Sequence, residues 1–249
     1  MATDSLLRAM VDLRDRQIQK GRIQFGNRLS ALDRGADNGT GQQEGVVGRW
    51  TTRFNRLEIE LNKDIAEVVK GYEMYPYLSS VKGIGPGLSA KFLALIDIER
   101  SNTVSQLWRY AGLAVFDGKR EYKAKGEPAH YSSRLKSTCY NAWECFMRCS
   151  ESPYKDLYYH WRERYLLSRP DWTKGHQHFA AIRKVEKMFL SHLWATWRTV
   201  EGLPVRNLYV IEHLGHQYYS SPEEYGWKSV AHLPQIEFSY EVNIGEKSS

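Results

Sequence analysis

The chain reads as a mainly α protein: an N-terminal antiparallel helical hairpin of coiled-coil character, then a helical domain built around a glycine turn, then a short C-terminal β segment. Three observations predict this. Apolar residues recur at three- and four-residue spacing along most of the chain. Glycines at 83, 85 and 87 interrupt that pattern inside "VKGIGPGLSAKF". Only the tail alternates with a period of two, Ile236, Phe238, Tyr240, Val242 and Ile244 facing away from Glu237, Ser239, Glu241 and Asn243. The division that follows is 1–75 for the hairpin, 76–216 for the helical domain and 217–249 for the extension with its strand.

Residues 4–33 form the first predicted helix, with Leu6, Leu7, Met10, Leu13, Ile18, Ile23, Phe25 and Leu29 near helical spacing and Asp4 or Ser5 as N-cap. "RGADNGTGQQEGVVG" is polar and glycine-rich, and is expected to be a flexible connection. A second amphipathic helix runs from Trp50 to about Gly71, with Phe54, Leu57, Leu61, Ile65 and Val68. Two long helices with narrow apolar stripes suit either a hairpin packed on its own domain or a dimerisation arm. "SNTVSQLWRYAGLAVF" reads as a capped helix ending near Gly112, and "DGKREYKAKGEPAHYSS" as a basic loop or small hairpin. Helices resume at "SRLKSTCYNAWECFMRCS", "YKDLYYHWRERYLL" and "HQHFAAIRKVEKMFLSHLWATWRTV".

With 249 residues, 42% hydrophobic and 13% aromatic, the chain can bury a sizeable core. No apolar run approaches the roughly 18 residues that span a bilayer, and the amphipathic start lacks a secretory core. A cytoplasmic, nucleoid-associated protein without membrane contact is expected. Cys139, Cys145 and Cys149 lie close together at helical spacing and are odd in number, which argues for reduced, buried thiols over a disulfide framework. A net charge of +6 suits an anionic partner and is also common among ordinary proteins.

The glycine stretch carries the most chemistry. An apolar turn leads into Gly83, Ile84 and Gly85, and a new helix starts at about Pro86, which suits a first helical turn because its missing N–H is no loss there. Free amides at that helix start, together with the helix dipole, favour an anion, and Gly85 and Gly87 remove side chains that would keep it away. Lys82 and Lys91 flank the turn, and Ile84 can pack inward to hold the two helices. The arrangement resembles a helix-hairpin-helix element, which grips the sugar-phosphate backbone by positioning contacts rather than base readout. A plain helix–helix turn is the other reading. The stretch lacks the G-K-[ST] ending of a nucleotide-binding P-loop.

Taken in order, "YLSSVKGIGPGLSAKFLALI", "SNTVSQLWRYAGLAVFDGKR" and the helix opening "SRLKSTCYNAW" resemble the C-terminal domain of the serine-dependent, DEDD-type insertion-sequence transposases, which use a bridge RNA to pair donor and target DNA. The resemblance covers roughly 77–150, and "PDWTKGHQHFAAIRKVEKMFLSHLWATWRTVEGLPV" is similar to the tail of a divergent branch. It implies DNA, duplex or branched, as partner, RNA as a further candidate, and a coiled coil ahead of the domain. Two departures stand out. The family's RuvC-like nuclease with four acidic ligands has no room before the glycine motif. The family's catalytic serine falls near "EPAHYSS", with Pro128 at its place and Ser132 and Ser133 off register.

His213 and His216 with Cys139 or His178 would make a tetrahedral zinc site, but their separations are irregular, and hydrogen-bonded buried histidines account for them as well. No cofactor is therefore expected, with zinc a minor alternative. Arg162, Arg164, Arg169, Lys174, Arg183, Lys184 and Lys187 interleave with Trp161, Tyr165 and Trp172, a pattern for phosphate contact with base stacking or for a solvated face over a core. No G-x-S-x-G elbow occurs.

The expected function is DNA binding in a mobile element, by a relative of a transposase C-terminal domain that lacks the nuclease. The expected contacts are Lys82, Gly83, Ile84, Gly85, Gly87, Lys91, Lys119, Arg120, Lys123, Lys125, Arg134 and Lys136. Catalysis is not expected, because N-capping explains Ser132 and Ser133 without a nucleophile. Two alternatives remain: an active serine recombinase subunit working with a separate nuclease or guide RNA, and a structural oligomerisation protein without nucleic acid. A homo-oligomer is expected in each case.

Overall fold

The computed structural model describes residues 5–35, 41–116, 119–120, 126, 129–205 and 220–233. The described chain is mainly helical: α1 (Ser5–Asp12), a π-helical segment (Leu13–Ile18), α2 (Gln19–Asp33), α3 (Gly41–Lys70), α4 (Tyr75–Leu78), α5 (Pro86–Leu95), α6 (Val104–Tyr110), α7 (Ser133–Arg148), α8 (Pro153–Ser168) and α9 (Lys174–Val200). A two-residue antiparallel ladder pairs β1 (Val115–Phe116) with β2 (Lys119–Arg120), and a 3₁₀ turn spans Glu223–Tyr225. The predicted strand from Ile236 to Ile244 lies outside the described residues. No described helix is long and apolar enough to cross a membrane.

The chain forms two compact units, each drawn from two separated stretches: Met1–Asp97 with Arg134–Cys149, and Ile98–Ser133 with Ser150–Ser249.

In the first unit, α1 buries Leu7 and Val11, α3 buries Ile65 and Val69, and α5 buries Ala90, Phe92, Leu93 and Leu95. From α7 come Leu135, Cys139, Ala142 and Phe146 at three- and four-residue spacing, one apolar stripe on one helix face. The π segment and α2 pack along α3 with partners running in opposite chain directions: Phe25 meets Trp50 and Phe54, Arg22 meets Glu58, and Arg14 meets Asn62. Gly21 permits this approach, because a Cβ there would lie 2.6 Å from the Phe54 ring.

Two local differences from the sequence reading appear here. α3 begins at Gly41, inside the stretch expected to be a flexible connection. Gln42, Gln43 and Glu44 are helix formers, and Glu44 in the first turn complements the helix dipole, which outweighs the glycines. The first helix is interrupted by the π segment, whose wider turn no apolar spacing announces. All three cysteines are free, Cys139 buried and Cys145 and Cys149 half-buried.

In the second unit, α6 opens with a full capping box. Thr103 accepts from the Gln106 N–H while the Gln106 side chain accepts from the Thr103 N–H. The core is built on α9, where Ala181, Ile182, Val185, Phe189, Leu190, Leu193 and Trp194 are buried. Buried Arg198 is satisfied by carbonyls: Nη1 donates to Ile98 O at 3.0 Å and Nε to Pro204 O at 2.8 Å. The 220–233 segment is tied down by a buried relay. Trp227 Nε1 donates to the Tyr154 hydroxyl at 2.7 Å, that hydroxyl lies 2.7 Å from His192 Nδ1, and His192 Nε2 lies 3.0 Å from Ser220 O. Because a carbonyl can only accept, Nε2 carries the proton and Nδ1 accepts from Tyr154.

Candidate nucleic-acid interface

The glycine stretch joins short α4 to α5 within the first unit. Leu78, Val81 and Ile84 are buried under the turn, and the Ile84 N–H bonds back to Val81 O at 3.0 Å. Gly83 has φ +97°, and a Cβ on it would stand 3.3 Å from the Cys145 carbonyl carbon, the Cys149 sulfur and the Phe146 ring. Here glycine is required both by backbone conformation and by the close passage of α7.

Gly85 and Gly87 differ in both respects. Gly85 is the N-cap of α5 with φ −92° and ψ 179°, an extended conformation open to any residue. A Cβ at either position meets nothing within 4 Å, and both residues are exposed. Pro86 follows at the first helical position, and no side chain caps this end. The amides of the first turn of α5 therefore face an uncrowded surface, where the helix dipole favours negative charge.

The predicted cations divide. Lys82 is exposed beside the turn. Lys91 lies one turn further and points into the unit, its Nζ 3.2 Å from Asp15 Oδ1 with only 14% of its side chain exposed. Arg134 bonds Asp12 and lies 3.8 Å from Asp15. Asp15 also accepts from Arg14 at 2.8 Å, and Arg14 and Arg22 reach Glu58 at 3.5 and 2.5 Å. So Lys91 and Arg134 belong to a part-buried ion network that holds the π segment to α5 and α7. The acidic half of it, Asp12 and Asp15, escaped the sequence reading. Its one signal was two acids three residues apart on the polar edge of an otherwise amphipathic helix. Lys136 is half-exposed on α7.

Lys119 and Arg120 form β2, where Arg120 pairs with Val115 and Lys119 with Phe116. Lys123 and Lys125 lie outside the described residues. Ser132 directly precedes the first residue of α7, the N-cap position, and its N–H donates to Tyr110 O at 2.8 Å; Ser133 is the first helical residue. Among the histidines weighed for zinc, His178 Nδ1 is engaged by the Tyr158 hydroxyl at 2.6 Å, while His213 and His216 lie outside the described residues. Burial and then Arg162 hold the His178 ring below the usual imidazole range.

Residues 75–159 match the family model described as transposase, IS116/IS110/IS902 family. No curated protein and no solved structure matches the chain significantly. The matched stretch begins at α4, contains the glycine turn, α5, α6 and α7, and ends within α8. The chain thus contains a transposase-related segment, and the role this suggests is one in a mobile genetic element.

Proposed function

We propose that the protein binds DNA in a mobile element through a helix-hairpin-helix formed by α4, the glycine turn and α5, gripping the phosphate backbone of duplex or branched DNA without reading sequence. One observation carries the reading. Gly85 and Gly87 need be glycine neither for conformation nor for packing, yet they keep the uncapped start of α5 bare. A phosphate approaching those amides supplies the missing reason. Lys82 adds charge at the rim. Lys119, Arg120, Lys123 and Lys125 are further phosphate contacts in this reading, and Lys91 and Arg134 support the glycine turn from within its own unit.

The Ser132 position favours capping over catalysis, so the reading is a binding protein and not a recombinase. A homo-oligomer belongs to it. Ile23 on α2 and Trp50 and Leu57 on α3 are 42–47% exposed, apolar surface that a second copy would cover.

The test is electrophoretic mobility shift and salt titration with Lys82→Glu. Affinity should fall to a similar degree for unrelated duplexes, and the slope of log affinity against log salt should lessen by about one phosphate contact. Unchanged affinity in a folded variant removes the glycine turn from the interface. Sedimentation of a monomer at micromolar concentration would count against the oligomer.

A further inference from the structure

The second unit carries a row of aromatic rings along α8, the turn after it, and α9. Trp161 and Tyr165 have centroids 5.5 Å apart, Tyr165 and Trp172 5.4 Å, and Trp172 and His176 stack at 3.9 Å with planes 5° apart. None of the four is buried. Cations lie over the rings: Arg164 and Lys184 stand 4.9 and 4.3 Å from the Trp161 centroid, and Arg169 stands 5.6 Å from that of Trp172.

Among the described residues, no carboxylate lies within ion-pair distance of Arg164, Arg169 or Lys184. The lysines register the crowding. Burial and then Arg164 hold Lys184 below the usual lysine range, and burial, Lys184 and Arg183 push Lys187 down to about 8. Arg164, Arg183 and Arg169 all act on the Tyr165 hydroxyl, whose pKa burial nonetheless raises. Like charges held together on a surface are relieved by a polyanion.

We infer that this ring row binds a single-stranded stretch of nucleic acid, with unpaired bases stacking on Trp161 and Trp172 and phosphates meeting Arg164, Arg169 and Lys184. Rings in series with cations lying over them match a chain in which flat bases alternate with phosphates, the phosphates drawing the cations off the ring faces that the bases then take. A duplex matches only the cations, because its base faces are covered by their own stack. The inference concerns the second unit and does not rest on the glycine-turn reading.

Fluorescence anisotropy of the full chain with labelled oligo-dT, oligo-U and a mixed-sequence duplex tests it. Single strands should bind and quench tryptophan emission. Trp161→Ala and Trp172→Ala should each weaken single-strand binding about tenfold, and the duplex should be far less affected. Arg169→Glu with Lys184→Glu, both outside any ion pair among the described residues, should weaken single-strand binding further with an unchanged circular dichroism spectrum. That pair decides the matter if a tryptophan variant misfolds. Preference between oligo-dT and oligo-U tells DNA from RNA, and either supports the site. No single-strand binding by the unmodified chain overturns the inference, as does equal loss for duplex and single strand in the ring variants. Lys82→Glu separates the two readings: duplex affinity unchanged there, with single strands lost in the ring variants, keeps this site and removes the glycine turn.

Discussion

Gly83 and Gly87 stand four residues apart and respond to substitution in opposite ways. At Gly83 a side chain would have to adopt φ +97° and enter space held by α7, so Gly83→Ala should destabilise the fold by about 1–3 kcal/mol in chemical denaturation. At Gly87 the space is open and the position lies in the first turn of α5. Gly87→Asp should therefore hold or raise stability, by up to about 1 kcal/mol, through lost chain entropy and a favourable dipole. The same carboxylate should repel a phosphate, so DNA binding should fall while stability does not. A variant that loses neither would show that the glycine is unrelated to DNA. Ser89, further along α5, is fully buried with a hydroxyl that lacks a hydrogen-bond partner. Ser89→Ala should raise stability by about 1 kcal/mol, seen as a higher melting temperature. The glycine cluster was visible in the sequence, but its division into one packing glycine and two open ones was not. That division depends on where α7 passes, some sixty residues later in the chain.

At the scale of elements, legibility follows the range of the forces that fix them. α6 was readable because its capping box is closed within four residues, and α9 because its apolar stripe repeats over seven turns. The π segment was not readable. What holds it is Arg134 on α7 and Lys91 on α5, and both looked like surface cations by composition alone. Arg198 is a basic residue in the last turn of α9 that composition does not mark as internal, yet it is 3% exposed and bonded to carbonyls. Asp15 faces Arg14, Lys91 and Arg134. Asp15→Ala leaves three part-buried cations with less compensation and should lower stability by about 2 kcal/mol. Urea denaturation checks it, and no change would mean that the network is screened as exposed pairs are. The same contact makes Lys91→Glu a poor probe of DNA binding, since it would set two carboxylates against each other inside the unit.

Across the whole molecule, the mainly helical class was legible, while the recruitment of α7 into the unit that holds the glycine turn was not, because nothing local records which distant stretch completes a core. The two units also differ in composition in a way that pH should expose. Every histidine falls within 98–133 or 150–249, so the first unit has none. His192 is wholly buried in the second, and burial pushes its pKa down to about 4 despite the opposing pull of Ser220 O and Glu223. The unfolded chain takes up this proton near pH 6.5 and the folded one only near 4, so the stabilisation is complete above 6.5 and is lost as pH falls towards 4. The loss is on the order of 3 kcal/mol, and it falls on the relay through Tyr154 and Trp227 that secures residues 220–233. Between pH 6.5 and 4.5, hydrogen exchange in α8, α9 and 220–233 should quicken well before exchange in α3 and α5. His192→Gln, which cannot be protonated in this range, should be less stable at pH 7 but should flatten the acid dependence. Equal quickening in both units, or an unaltered pH profile in the variant, would place the acid sensitivity elsewhere.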